Sequence, residues 1–411
     1  SSGPVPRADD HAYFLDWLVG SLRDEAVDAL VIAGDIFDSH QPSAAALAQY
    51  YGFLSRCHAE VGIPIVVVGG NHDAPSRLQA PAELLGALDI HVVGGLTRDS
   101  VEAGDHIIPL RGRSGEVEAV VLAVPYVNEF RLGVRTTDPD RAEVRRGFLE
   151  AFGELYAELA EAAAARWPGV PILATGHLTA GEGITREDYP LEIHQVGSID
   201  ALPPSVFDAR IDYVALGHIH RSYPVERERP VWYSGTPVAL SITESAPPRR
   251  VLVVELEAEP AGVRVERREV PAPRALIEVR GTIEEVARRL RELTWTEPLP
   301  PLLYVRVRED DPPTGLQQRL EEALDAQPGD ARPALVEVRH ERASPREVVE
   351  PGEGVPLDRL EVGEVFDRMA RAGGAEPDEG LRGAFDAVRS MAGEELEAQA
   401  LRIREGLDED S

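Results

Sequence analysis

The sequence predicts an α/β protein. Apolar runs of strand length alternate with amphipathic helical stretches through the first 250 residues, and several of these runs end in Gly followed by Asp, Asn or His. Continuous apolar strands set between helices belong to sheets covered on both faces. At roughly 150 residues per domain, a chain of 411 residues fits two or three domains, and it is long enough to fold without a metal or disulfide staple.

Phe14, Leu18 and Leu22, with Leu15 and Val19 beside them, recur at helical spacing and predict a first helix. Ala29–Ala33 is a fully apolar strand ending at Gly34-Asp35. A second helix over 43–60 leads to Pro64–Val68, which ends at Gly69-Gly70-Asn71-His72-Asp73. Shorter strands follow near Ile90–Val93, His106–Leu110 and Ala119–Val124. An alanine-rich helix over 141–166 precedes Val170–Thr175, which ends at Gly176-His177. Ile211–Leu216 ends at Gly217-His218-Ile219-His220, and strands near Val231–Tyr233, Arg250–Leu256 and Val263–Val270 close the region.

Pro271-Ala272-Pro273 is stiff punctuation and marks a boundary. Beyond it, strands at Ala275–Arg280, Leu302–Arg308 and Ala334–His340 alternate with helices at Ile283–Leu293 and Gly315–Ala326, a small α+β unit. The expected division is therefore 1–270, 274–342 and 343–411. A segment rich in Pro, Gly and Glu opens the last part, followed by amphipathic helices over 357–371 and 378–404. Leu357, Leu360, Val365, Phe366 and Met369 stripe the first; Leu381, Phe385, Val388, Met391, Leu396 and Leu401 stripe the second. Such stripes are expected to dock on a partner or on their own chain.

Composition sets limits on function. The formal net charge is −30, and all 42 basic residues are arginine. That excess opposes a general electrostatic grip on nucleic acid and leaves room for a local one through arginine forks. No apolar run reaches membrane-spanning length. Cys57 is the only cysteine, which excludes a disulfide framework and a cysteine-based zinc site and fits a reducing cytoplasm.

Four strands end in turns that present ligand-type residues: Gly34-Asp35-Ile36-Phe37-Asp38, Gly70-Asn71-His72-Asp73, Gly176-His177 and Gly217-His218-Ile219-His220. Ligands in α/β sheets gather at the carboxyl ends of strands, where glycine lets the backbone turn sharply. Oxygen donors (Asp35, Asn71) mixed with imidazoles (His177, His218, His220) suit Mn²⁺, Fe²⁺ or Zn²⁺ at a hydrolytic centre. His218 and His220 alternate in what reads as extended chain and would face one side. Taken singly each signal is weak. Gly-His is usually a satisfied core histidine, and Asp-Ile-Phe-Asp reads as a helix N-cap.

In this order, the four turns resemble the binuclear metallophosphoesterase (calcineurin-like) superfamily. Phe14–Leu18, Ala174–Thr179, Tyr213–Arg221 and Tyr233-Ser234-Gly235-Thr236-Pro237 are similar to its SbcD branch, as is the α+β unit. The resemblance implies a β-sandwich flanked by helices (four layers, αββα) with a small α+β capping domain. It also implies a Mn-dependent DNA nuclease subunit, degrading duplex ends 3′ to 5′ and nicking single strands and hairpins. Asp35 would bridge two metals, with Asn71, His177 and His218 on one and His220 on the other. His72 would stabilise charge or protonate the leaving oxygen, with Asp38 and Asp73 holding the turns or imidazoles. The partners implied are DNA, a second copy in a homodimer, and an SbcC-type coiled-coil ATPase reached through the C-terminal helices. Arg77, Arg111, Arg113, Arg131, Arg135 and Arg221 are candidate DNA contacts, each also readable as a solvated surface residue.

The resemblance departs at the amino end. The family opens with a strand ending in Asp-x-His, whereas Asp9-Asp10-His11 follows no apolar strand and reads as a helix cap. The expectation is a shortened chain with a raw sheet edge, in which the His220 metal keeps only Asp35 and His220 as protein ligands. One metal ion would then be retained in place of two. Two other readings stand: a metallophosphoesterase on small phosphoesters, favoured by the acidity, and a catalytically impaired scaffold subunit.

Overall fold

The computed structural model describes residues 5–342 except 113, 128–131, 133–140, 182–200, 227–229, 247, 258–261, 311–313 and 328–330, and a few helical residues between 363 and 385. Helices α1 (Ala8–Asp24) and α2 (Ala44–Arg56) cover one face of a parallel sheet, β1 (Leu30–Ala33), β2 (Ile65–Val68) and β3 (Ile90–Val93), ordered β1-β2-β3. Successive residues of β2 point to opposite faces. Ile65 and Val67 meet Val19, Leu22, Phe53 and Leu54 on the helix side. Val66 and Val68 meet Val121, Ala123 and Leu173 of a second sheet. Burial on both faces is why this strand is apolar throughout.

Short helices α3 (Pro75–Gln79) and α4 (Ala82–Gly86) link β2 to β3, and α5 (Arg98–Glu102) leads from β3 to the second sheet. That sheet comprises β4 (Ile107–Arg111), β5 (Val117–Leu122), β6 (Ile172–His177), β7 (Tyr213–Gly217), β8 (Tyr223–Glu226) and β9 (Val231–Tyr233), in the order β4-β5-β6-β7-β9-β8. Its outer face carries α6 (Arg141–Arg166), with Phe152, Tyr156 and Leu159 packed among Val120, Leu122, Ala174 and Leu216. The layers run helix, sheet, sheet, helix. The antiparallel pair β10 (Arg250–Glu257) and β11 (Gly262–Glu269) adds Val254, Leu256, Val263 and Val265 to the sandwich interior.

Parallel strands β12 (Leu276–Gly281), β13 (Leu302–Arg308) and β14 (Ala334–Glu341) then bury one face under α7 (Ile283–Arg291) and α8 (Leu316–Asp325), with a core of their own. Thr282 and Glu285 form a capping box that starts α7. Among the described residues, no helix is long and apolar enough to cross a membrane.

Three details depart from the sequence reading. Helix α1 begins at Ala8 with no side-chain cap, so Asp9 and Asp10 lie in its first turn and do not cap it. Asp38 caps nothing either, because Ser43 accepts the Ala46 N–H and starts α2. Strand β8 was not expected, since Pro224 obscures it; the strand sits at the sheet edge, where proline is tolerated. Residues 342–411 form a separate unit. There Phe366 stacks on Phe385 at 4.0 Å and Arg382 forks onto Asp367, so residues of both expected helices meet. The remaining stripe residues, and Arg113, Arg131 and Arg135, lie outside the described residues.

Candidate metal centre

The carboxyl ends of β1, β2, β6 and β7 converge, and the ligand-type residues come with them. Parallel pairing sets β1 beside β2 and β6 beside β7, so Gly34-Asp35 neighbours Gly70-Asn71, and His177 neighbours His218. The two sheets touch closely here: a Cβ on Gly217 would lie 1.7 Å from the Ala33 carbonyl oxygen and 2.7 Å from His177 Nδ1. Only glycine fits. Asp35 (φ 51°) and His218 (φ 91°) both occupy the left-handed region, which costs a non-glycine residue free energy and is held only where surrounding structure demands it. This backbone corrects the expectation for His218 and His220. The chain is not extended at His218, so simple alternation does not orient the pair; Nδ1 of His218 lies by Asn71 and Nδ1 of His220 by Glu244.

His177 is buried, and its Nδ1–H donates to the Ala33 carbonyl at 2.8 Å. A carbonyl only accepts, so in the neutral ring Nε2 carries the lone pair. That lone pair faces Asn71 Oδ1 at 3.0 Å and Asp35 Oδ2 at 3.1 Å. His218 Nδ1 lies 3.1 Å from the same Asn71 oxygen. Burial, then the neighbouring His177, lowers the His218 pKa to about 4, so this ring is neutral at pH 7. Asp35 is held below the usual carboxylate range: burial pushes it upward, but the His177 ring, when its Nε2 carries a proton, and the His72 backbone N–H outweigh that. Ligand atoms of Asp35, His177 and His218 lie within 4.8 Å of one another. A carboxylate, an amide oxygen and the His177 lone pair facing one another repel unless a cation sits among them. The donor set therefore fits a divalent metal of borderline hardness.

The remaining expected residues surround this cluster. Asp73 is buried and accepts from the backbone N–H groups of Gly70 (2.8 Å), Ile36 (3.0 Å) and Phe37 (3.0 Å), clamping the two acidic turns together. Asp38 contributes its backbone carbonyl, which accepts from His72 Nδ1 at 3.0 Å, while its carboxylate holds no turn. His72 is exposed, with its backbone N–H on Asp35 Oδ1 at 2.9 Å. His220 lies outside the tight three-residue cluster and pairs with Glu244 at 2.8 Å, which raises its pKa; the Asp35 charge acts in the same direction. Glu244 was missed by sequence reasoning, as no motif frames it. Arg77 is exposed on α3 and Arg221 on the bend after His220, both beside the ligand segments, and Arg111 donates to Gly115 within its own hairpin. Asp10 does not belong to the cluster; its carboxylate lies 2.9 Å from both Arg7 and Arg274.

Comparison with known proteins agrees with this arrangement. The calcineurin-like phosphoesterase family model matches residues 8–222, and that of the type 5 capsule protein repressor C-terminal domain matches 272–372. The chain is 34% identical over 333 residues to the SbcD component of nuclease SbcCD from Rhodobacter capsulatus, covering 78% of this chain and 80% of the relative. It is 28% identical to the same component from Escherichia coli K12, covering 88% and 87%. The Bacillus subtilis counterpart is 33% identical, covering 61% of each. With the four ligand turns in order at the carboxyl ends of a two-sheet core, the chain belongs to the calcineurin-like phosphoesterase family.

Proposed function

We propose that this chain is the nuclease subunit of an SbcCD-type DNA-repair complex, a cytoplasmic metal-dependent phosphodiesterase that cuts duplex ends, hairpins and single strands. The observation that carries the reading is the convergence of donor atoms from Asp35, Asn71, His177 and His218 at the strand ends. Relatives named as nucleases along most of the chain support it. Residues 1–270 would be the nuclease domain and 274–342 a cap over DNA. Residues 343–411 would dock a coiled-coil SbcC-type ATPase, with two copies of the chain per complex. Mn²⁺ is the ion in this reading, as the family resemblance implies; the mixed oxygen and imidazole donors suit it as they suit Fe²⁺ or Zn²⁺.

Asp35, Asn71, His177 and His218 would hold one ion, with Asp35 shared toward a second at His220. A divalent ion in such a centre supplies Lewis-acid polarisation of a phosphate oxygen and activates water for in-line attack. The chain's own part is positional. Asp73 keeps the Asp35 and Asn71 turns in register, and Ala33 fixes the His177 ring. The Asp38 carbonyl accepts from His72 Nδ1, so the protonated ring would turn its Nε2–H outward, to stabilise charge or give that proton to the leaving oxygen. Arg77 and Arg221 would meet phosphates, and Arg111 is a third candidate.

The test is Mn²⁺-dependent release of nucleotides from a linear duplex, with bound metal counted on the same preparation and a His72→Ala variant as control. Cleavage that falls at least ~100-fold in the variant, with metal still bound, is expected. Turnover of a small phosphodiester with none of DNA would favour the second reading, which the net charge of −30 supports.

A further inference from the structure

Glu244 has no part in the ligand turns, yet its position is specific. It ends a short 3₁₀ turn, Ile242–Glu244, and its side chain is 5% exposed, unusual for a glutamate. One carboxylate oxygen accepts from the Leu240 backbone N–H at 2.9 Å; the other lies 2.8 Å from His220 Nδ1. The backbone of His220 is pinned as well. Its carbonyl accepts from Thr236 N–H at 3.1 Å and from Arg249 Nη1 at 3.0 Å. Gly235 (φ 80°) lets the 234–237 turn come this close, since a Cβ there would stand 2.8 Å from the same carbonyl oxygen.

A carboxylate at Nδ1 accepts that nitrogen's proton, which makes the neutral ring the Nδ1–H tautomer and leaves the lone pair on Nε2. A histidine that binds a metal through one nitrogen commonly has its other N–H held this way, and loss of the holding group costs about 10- to 100-fold in metal affinity. We propose that Glu244 is a positioning residue of the metal centre: with Leu240 anchoring its far oxygen, it fixes the tautomer and ring plane of His220 so that Nε2 is presented to a cation shared with Asp35. This rests on the metal-centre reading above.

The experiment compares the full chain with its Glu244→Ala variant in two arms. In the metal-free protein, ¹⁵N NMR of the histidine rings, at a pH high enough to neutralise His220, reads the tautomer directly. The parent is expected to show His220 protonated at Nδ1. The variant is expected to shift toward the Nε2–H form usual for free imidazole. The His177 ring, held by Ala33, should stay unchanged and report an intact site. In the second arm, Mn²⁺ titration followed by calorimetry is expected to show one binding step weakened about 10- to 100-fold in the variant and the other unaltered. A parent with Nε2–H at His220, or a variant that binds both ions as the parent does, overturns the proposal. A parent with the Nδ1–H tautomer that binds no Mn²⁺ overturns the metal-centre reading itself, and the tautomer arm tells the two failures apart. A Glu244→Asp variant, which keeps the charge but shortens the reach, should fall between parent and alanine in the affinity of the weakened step.

Discussion

Asp73 places three backbone N–H donors from two separate turns on one buried carboxylate. Burial raises its pKa and the three donors pull it back only in part, so its anionic form depends on those bonds. In an Asp73→Ala variant the donors lose their acceptor at about 1–3 kcal/mol each, partly relieved by entering water, for an expected loss of ~2–5 kcal/mol in urea unfolding. Mn²⁺ binding should weaken with it, because the Asp35 and Asn71 turns are no longer tied. A variant as stable as the parent would show that the turns hold themselves. Asp73 was legible because it ends a run of four polar residues where an apolar strand stops. Glu244 was not, since its partner lies 24 positions away and a lone acidic residue carries no periodicity. The left-handed φ of His218 was equally hidden, and an alternating His-x-His pattern was read as strand where the chain had already turned.

Elements were more legible than contacts. A strand buried on two faces is apolar nearly throughout, so β2, β6 and β7 could be read together with the glycines that end them, and β1, half-buried at its sheet's edge, is apolar as well. Edge strands have no such demand, which is why β8 escaped notice. The joint between α5, β4 and β5 shows a buried polar group at work at this scale. His106 is fully buried; its Nδ1–H donates to the Ala123 carbonyl at 2.9 Å, and Nε2 meets Ser100 Oγ at 2.8 Å. Burial lowers its pKa, and the Ala123 bond only partly opposes this. The folded state therefore favours the neutral ring. Its contribution is complete above the unfolded pKa of about 6.5 and is lost as pH falls through the lower folded value, because the unfolded chain takes up the proton first. Unfolding free energy measured in urea from pH 7.5 down to pH 5, on metal-free protein, should decline more steeply for the parent than for His106→Gln, which has no ring to titrate. Parallel pH profiles would mean that the ring carries no such linkage.

At the scale of the whole described core, one buried ion cluster joins the sandwich to the α+β unit. Asp10 of α1 is completely buried, 2.9 Å from the guanidinium of Arg7 and 2.9 Å from that of Arg274, which follows Pro273 and leads into β12. Arg7 also donates to the Ala239 carbonyl at 2.8 Å. One carboxylate thus ties the start of α1, the 239 loop and the entry to the last sheet. The letters that looked like a displaced metal motif serve cohesion. Burying ions is costly, and this cluster is better understood as fixing how the parts pack than as a large net stabiliser. Removing only the anion is another matter, because two guanidiniums are then left buried side by side. Asp10→Ala is expected to cost about 3–5 kcal/mol. It should also open the Arg274–Ala275 bond to trypsin, whereas the buried Arg274 of the parent is expected to resist cleavage. Replacing all three with apolar residues of similar size (Arg7→Met, Asp10→Leu, Arg274→Met) should recover most of the lost stability. A chain that tolerates Asp10→Ala with unchanged melting and unchanged cleavage between the sandwich and the α+β unit would show that the triad ties nothing.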